Sequence, residues 1–179
     1  MADMKNVFDK LNNLLGNTDL SDVTAESSGF SDLPDGYYLC EVEKAELKES
    51  KSSHEPMVAF QFKVVEDGHT VEITDDGDAI IEDIKKTANR KIFVYYVLKD
   101  ETAVRRFATD MLKFEGEVAG ESLLPKEAFM TSETLIDALD VLVGMRIYIC
   151  ASTTEKDGNK SQWNNLISWK RVSALELPM

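Results

Sequence analysis

Residues 84–99, IKKTANRKIFVYYVLK, carry five basic residues and no acidic one, interleaved with Phe93, Tyr95 and Tyr96. Aromatic faces beside cationic groups are what an unpaired nucleic-acid strand requires, because every base has a π-face to stack and every nucleotide a charge to neutralise. A strand over residues 91–98 with Ile92, Val94, Tyr96 and Leu98 toward a core puts Lys91, Phe93, Tyr95 and Val97 on the opposite side. Phe93 and Tyr95 are then expected to stack bases, while Lys63, Lys91 and Arg90 meet phosphates. The same alternation also allows the inverse, with Phe93 and Tyr95 in the core. A second segment, residues 145–172, holds five bases against two acids. There Arg146 and Tyr148 share one side of a strand, and Trp163 shares a side with Asn165, Ile167 and Trp169. All three of Arg146, Tyr148 and Trp163 are candidate binding residues, although a tryptophan in a small barrel belongs to the core at least as readily.

Enzymatic chemistry finds no support in the residue types. The chain has no Gly-rich phosphate loop, no nucleophile elbow and no paired histidines at ligand spacing. His54 and His69 stand in polar stretches, and the acids and glycine of TDDGDAIIED miss the alternating spacing of a calcium loop. No catalytic residue, metal or cofactor is expected. Cys40 and Cys150 lie inside apolar, strand-like runs, which predicts reduced thiols. No run approaches the roughly 20 apolar residues of a membrane span, and the start MADMKNVFDK lacks a secretory apolar stretch, so a soluble cytoplasmic protein without a membrane partner is expected.

A formal net charge of -13 argues at first against a nucleic-acid partner. Its distribution reverses the argument. Residues 1–35 hold seven acids and two bases, residues 66–83 hold eight acids and no Lys or Arg, and the remainder is neutral. Acidity is thus segregated from the two basic, aromatic segments.

The elements that must position these residues follow from periodicity. Met4, Val7, Phe8, Leu11, Leu14 and Leu15 fall at helical spacing, followed by a polar linker, so residues 1–32 form an appendage and residues 33–173 the folded domain, with 174–179 a short tail. Two-residue alternation predicts a first strand from Tyr37 to about Leu47 and a second over residues 57–65. The acidic segment 66–83 reads as a long loop, with a helical turn at AIIEDIKK, before the third strand. Asp100 caps a helix bearing Val104, Phe107, Ala108 and Met111 on one face, and a second helix runs from about Glu133 to Val143, stopped by Gly144. A fourth strand carries Met145, Ile147, Ile149 and Ala151 on one side. It turns at Asp157-Gly158 into a fifth strand over residues 161–171. Three strands, a helical connection and a hairpin predict a mainly β fold with helices, specifically a five-stranded OB-fold barrel with the helical connection between strands three and four.

LPDGYYLCEVEKAELKESKSSHEPMVAFQFKVVE resembles the opening of phage-encoded single-stranded DNA-binding proteins once catalogued as a domain of unknown function. RKIFVYYVL and LVGMRIYICASTTEKDGNKSQWNNLISWKRV are similar to that family's remaining strands, so the likeness spans residues 33–172. The resemblance implies an OB-fold, sequence-tolerant binding of single-stranded DNA, and a role in phage replication or recombination alongside the proteins of those processes. A second reading is an OB-like acidic interaction module that binds a replication or host-defence protein. In that case the acidic segments imitate nucleic acid and the N-terminal helix docks in a partner's groove. Homo-oligomerisation through that helix is a third option.

Overall fold

Alternating apolar and polar residues fold as antiparallel strands in a computed structural model that describes residues 7–9, 11, 12, 15, 16, 33–118 and 120–178. The strands are β1 (Gly36–Glu49), β2 (Pro56–Val64), β3 (Gly68–Ile73), β4 (Ala79–Ile84), β5 (Lys91–Val97), β6 (Arg146–Lys156) and β7 (Asn159–Ile167). They make one seven-stranded sheet. Its main path is β4-β3-β1-β2-β5, with β6 on the free side of β1 and β7 on β6. The chain divides into two compact units, Met1–Asp32 and Leu33–Met179, and the sheet lies in the second. In the first, residues 7–9, 11, 12, 15 and 16 are helical, where the spacing of Val7, Phe8, Leu11 and Leu15 predicts a helix. Met4, Leu14 and the linker fall outside the described residues.

The mainly β class with helices holds, but the sheet is not a closed five-stranded barrel. The five long strands run β5-β2-β1-β6-β7, and among the described residues β5 pairs only with β2 and β7 only with β6. Side chains from helix α1 (Glu101–Met111) and the turn after it occupy the place of the missing ladder. The Tyr96 hydroxyl on β5 donates to Asp110 at 2.8 Å, and Lys113 Nζ donates to the Leu166 carbonyl on β7 at 2.8 Å.

The acidic segment is likewise not a loop. Val71 faces Ile81, Glu72 faces Ile80 and Ile73 faces Ala79 across a β3–β4 ribbon, and the β-branched Val71–Ile81 pair helps hold the two strands despite the surrounding carboxylates. Gly77, at φ +88°, supplies the left-handed residue of the turn, and the Asp78 N–H donates to Thr74 Oγ1 at 3.1 Å.

Two cores flank the sheet. On its inner face Tyr38, Cys40, Val42, Phe60, Phe62, Ile92, Ile147 and Ile149 pack against Phe107 and Met111 of α1 and against Leu135, Leu139 and Leu142 of α2 (Ser132–Leu142). Asp100 caps α1 as predicted, accepting from the Ala103 N–H at 2.8 Å, and Thr131 with Thr134 forms a capping box at α2. On the outer face Leu39, Tyr148 and Ile167 pack beneath α3 (Trp169–Ala174) together with Val172 and Leu177. The fifth long strand therefore stops at Ile167 rather than Arg171, because Ser168 caps a helix there. Leu177 of the expected tail belongs to this second core. Cys40 sits in the inner core and Cys150 packs against the outer one, so the two thiols lie on opposite faces of neighbouring strands and are both free.

Gly68 opens β3 where only hydrogen fits. A Cβ there would stand 2.3 and 2.4 Å from ring carbons of the fully buried Tyr38 and 3.0 Å from the Tyr37 carbonyl. Gly68→Ala is expected to lower stability by about 1–3 kcal/mol, the usual cost of overpacking a core, read as an earlier urea midpoint. Gly116→Ala, whose nearest neighbour would be 3.5 Å away, should leave the midpoint close to its starting value.

Candidate nucleic-acid interface

Strand β5 takes the predicted facing. Ile92 is buried and Val94 and Tyr96 pack against the inner core, while Lys91, Phe93 and Tyr95 point outward. Phe93 is 50% exposed and Tyr95 56%. Standing two residues apart on one strand, they are separated by about 6.8 Å along the sheet. Their cross-strand neighbours are those expected: Lys63 opposite Lys91, Gln61 opposite Phe93 and Ala59 opposite Tyr95.

The register extends this face onto β1 in a way the sequence did not disclose. A β-bulge between Val42 and Lys44 shifts the pairing, so that Lys44 faces Gln61, Glu46 faces Ala59 and Lys48 faces Met57. Lys44 and Lys48 thereby join Phe93 and Tyr95 around a shallow depression of about 160 Å³ on the outer face. One row crosses four strands as Lys91, Lys63, Glu41 and Arg146. Arg146 Nε lies 3.8 Å from Glu41 Oε2, and both side chains are substantially exposed.

Glu43, the bulged residue, governs the electrostatics of this row. Its carboxylate accepts from Lys91 Nζ and from Gln61 Nε2, the latter at 2.8 Å. The Lys91 and Gln61 hydrogen bonds hold its pKa below the ordinary carboxylate value. Lys91 is thus already paired, which competes with the phosphate contact expected of it. Arg90 ends the turn that leads into β5, and its carbonyl accepts from the Val64 N–H at 2.8 Å. That turn is fixed by Asp67, which accepts from the Thr87 and Ala88 N–H groups at 3.0 Å each, bonds that lower the Asp67 pKa.

The second candidate set separates. Tyr148 does point away from the inner core as the alternation requires, but it is fully buried, because α3 covers that face. Its ring meets Trp169 in a T-shaped contact at 6.1 Å, its hydroxyl donates to the Pro178 carbonyl, and burial raises its pKa to about 12. Tyr148 is therefore a core residue and no stacking platform. Trp169 belongs to α3 and not to a strand. Trp163 on β7 is 52% exposed, with its indole N–H donating to Thr154 Oγ1 at 2.8 Å. Together with Tyr95 it borders the opening between β5 and β7. Among the described residues no group of acids, histidines and cysteines has the geometry of a metal site, and no helix is long and apolar enough to cross a membrane.

Phe93 and Tyr95 thus stand outward on a face where Lys44, Lys48, Lys63 and Lys91 are interspersed with Glu41, Glu43 and Glu46. The chain belongs to the protein family of unknown function DUF669, which matches residues 16–105. That match takes in β1 to β5, and with them Lys63, Lys91, Phe93 and Tyr95, but neither β6 nor β7. No curated protein matches the chain.

Because Glu43 titrates below the usual carboxylate range of about 4.3, its pair with Lys91 supports the fold above that pH, and the support is lost as pH falls through the lowered value. Lys91→Ala should move the Glu43 titration upward, followed by NMR of its side-chain carboxyl. An unmoved titration would show that Lys91 does not hold it.

Proposed function

We propose that this protein binds single-stranded DNA without catalysis, tolerating many sequences, in phage replication or recombination. The observation that carries the reading is the pair Phe93 and Tyr95, half exposed and side by side on a face that carries Lys44, Lys48, Lys63 and Lys91 interspersed with Glu41, Glu43 and Glu46. Each ring, about half exposed, forgoes part of the roughly 1.5–3 kcal/mol that full burial of a side chain such as Phe supplies, and stacked bases would recover it. The strand path β5-β2-β1-β6-β7 also follows the order of an OB-fold opened between its third and fifth strands, which supports an OB-like scaffold with this face as its platform.

Titration with labelled oligo-dT, repeated with duplex of equal length, tests the proposal: single strand should bind more tightly, and affinity should fall with salt. Phe93→Ala and Tyr95→Ala should each cost about 1–3 kcal/mol of binding, with little change in salt dependence. Lys63→Ala should instead reduce the log-log salt slope by about 0.7. Glu43→Gln should tighten binding at low salt by releasing Lys91. Equal affinity for duplex, or no binding at low salt, would favour the interaction-module reading, whose support is the apolar groove of Leu123, Leu124, Ala128, Ala138 and Val141 beside α2.

A further inference from the structure

The apolar groove beside α2 has a volume of about 360 Å³, with residues 123–128 along one wall and α2 along the other. Leu124, Ala128 and Ala138 are buried within it, while Val141 on its rim is 54% exposed. Its shape is set by hydrogen bonds inside the fold. Thr131 and Thr134 close the capping box that starts α2, and Thr134 Oγ1 also donates to the Ala128 carbonyl at 3.0 Å, which ties the preceding turn to the helix. With that hydroxyl engaged, the polar side chains left on the lining are the carboxylates of Glu127 and Asp137.

Charge selects the partner. Residues 115–142 hold seven acids and one base, Lys126. Glu133, Asp137 and Asp140 recur at i, i+4 and i+7 and so form an exposed acidic ridge along α2, with Val141 one turn on from Asp137. Among the described residues neither these three nor Glu127 makes an ion pair. An apolar groove with an unbalanced acidic rim repels nucleic acid, anionic lipid and a second copy of itself, and attracts a cationic segment. Neither wall is a strand, so no backbone edge is offered for strand addition. The mode that remains is a helix laying its apolar stripe into the groove.

We propose that this groove docks an amphipathic helix of a partner protein, apolar along one stripe and rich in lysine or arginine on its flanks. The site goes beyond single-strand binding and does not rest on it. α2 packs on the inner face of the sheet, whereas Phe93 and Tyr95 stand on the outer one. The two surfaces are thus separate, and either reading can fail without the other.

The test uses the full chain at about 0.15 M salt, where exposed charges are screened beyond about 8 Å. The probe is a labelled synthetic peptide of about 15 residues, long enough for marginal helicity, with leucine at i, i+3, i+4 and i+7 spacing and lysine elsewhere. One control scrambles the same residues so that no stripe forms, and a second replaces every lysine by glutamate. The leucine–lysine peptide should bind on the order of tenfold more tightly than either, the factor that burial of about one leucine side chain supplies. It should shift the backbone amide resonances of Ala128, Ala138 and Val141 in ¹⁵N-labelled protein and leave those of Phe93 and Tyr95 in place. Val141→Glu should weaken it on the order of tenfold, whereas attraction by charge alone would strengthen. Asp137→Lys should weaken the leucine–lysine peptide and favour the leucine–glutamate one, and Asp76→Lys in the β3–β4 turn should change neither. All three altered side chains are exposed, and circular dichroism checks that the fold is kept. Equal binding of the scrambled peptide, or shifts confined to the β3–β4 ribbon, would overturn the proposal. Self-association of the chain that Val141→Glu abolishes would also overturn it, because the occupant would then be a second copy.

Discussion

The outer face depends on one partly buried side chain. Tyr96 lies between Phe60 and Phe107 in T-shaped contacts at 5.9 and 5.2 Å, and its hydroxyl reaches Asp110 on α1. Because side chains alternate strictly along a strand, fixing one residue inward fixes all its neighbours. With Tyr96 held inside, Phe93 and Tyr95 have nowhere to go but outward. The apolar run of β5 alone could have been read either way up. The edge-to-face cluster of three rings and the hydrogen bond at its end decide it, and through the β2 and β1 pairings they also decide which lysines stand beside the exposed rings.

How much of this was legible follows from the range of the interactions. The facing of β5, the Asp100 cap and the Asp157-Gly158 turn are local, and local patterns reveal them. The bulge at Glu43 is encoded by no glycine or proline, so the alternation of β1 gives no warning that Lys44 and Lys48 move to the side of Phe93 and Tyr95. The Glu43–Lys91 pair joins residues 48 positions apart. Alternation places Tyr148 on the correct side of its strand and still says nothing of its cover, because α3 and Leu177 pack over it from the far end of the domain. The β3–β4 ribbon was hidden by composition, since eight acids in eighteen residues disguise the alternating Val71, Ile73 and Ile81.

The missing ladder between β5 and β7 and the groove there share one cause. Tyr96 and Lys113 send polar side chains to Asp110 and to the Leu166 carbonyl where backbone pairing would otherwise close the sheet. The same contacts engage Asp110 at the edge of the groove, whose lining also carries Lys99, Asp100 and Arg106. Scaffold and groove are thus one set of interactions.

The acidic ribbon has a consequence independent of any ligand. β4 ends the strand path, so among the described residues one row of its backbone N–H and C=O groups has no partner strand and offers a template for another chain, with Ile80 exposed along it. Glu82 and Asp83 on β4, and Asp75, Asp76 and Asp78 in the turn before it, make an approaching copy meet like charge before it can pair. Much of the net negative charge can thus be understood as protection against self-assembly.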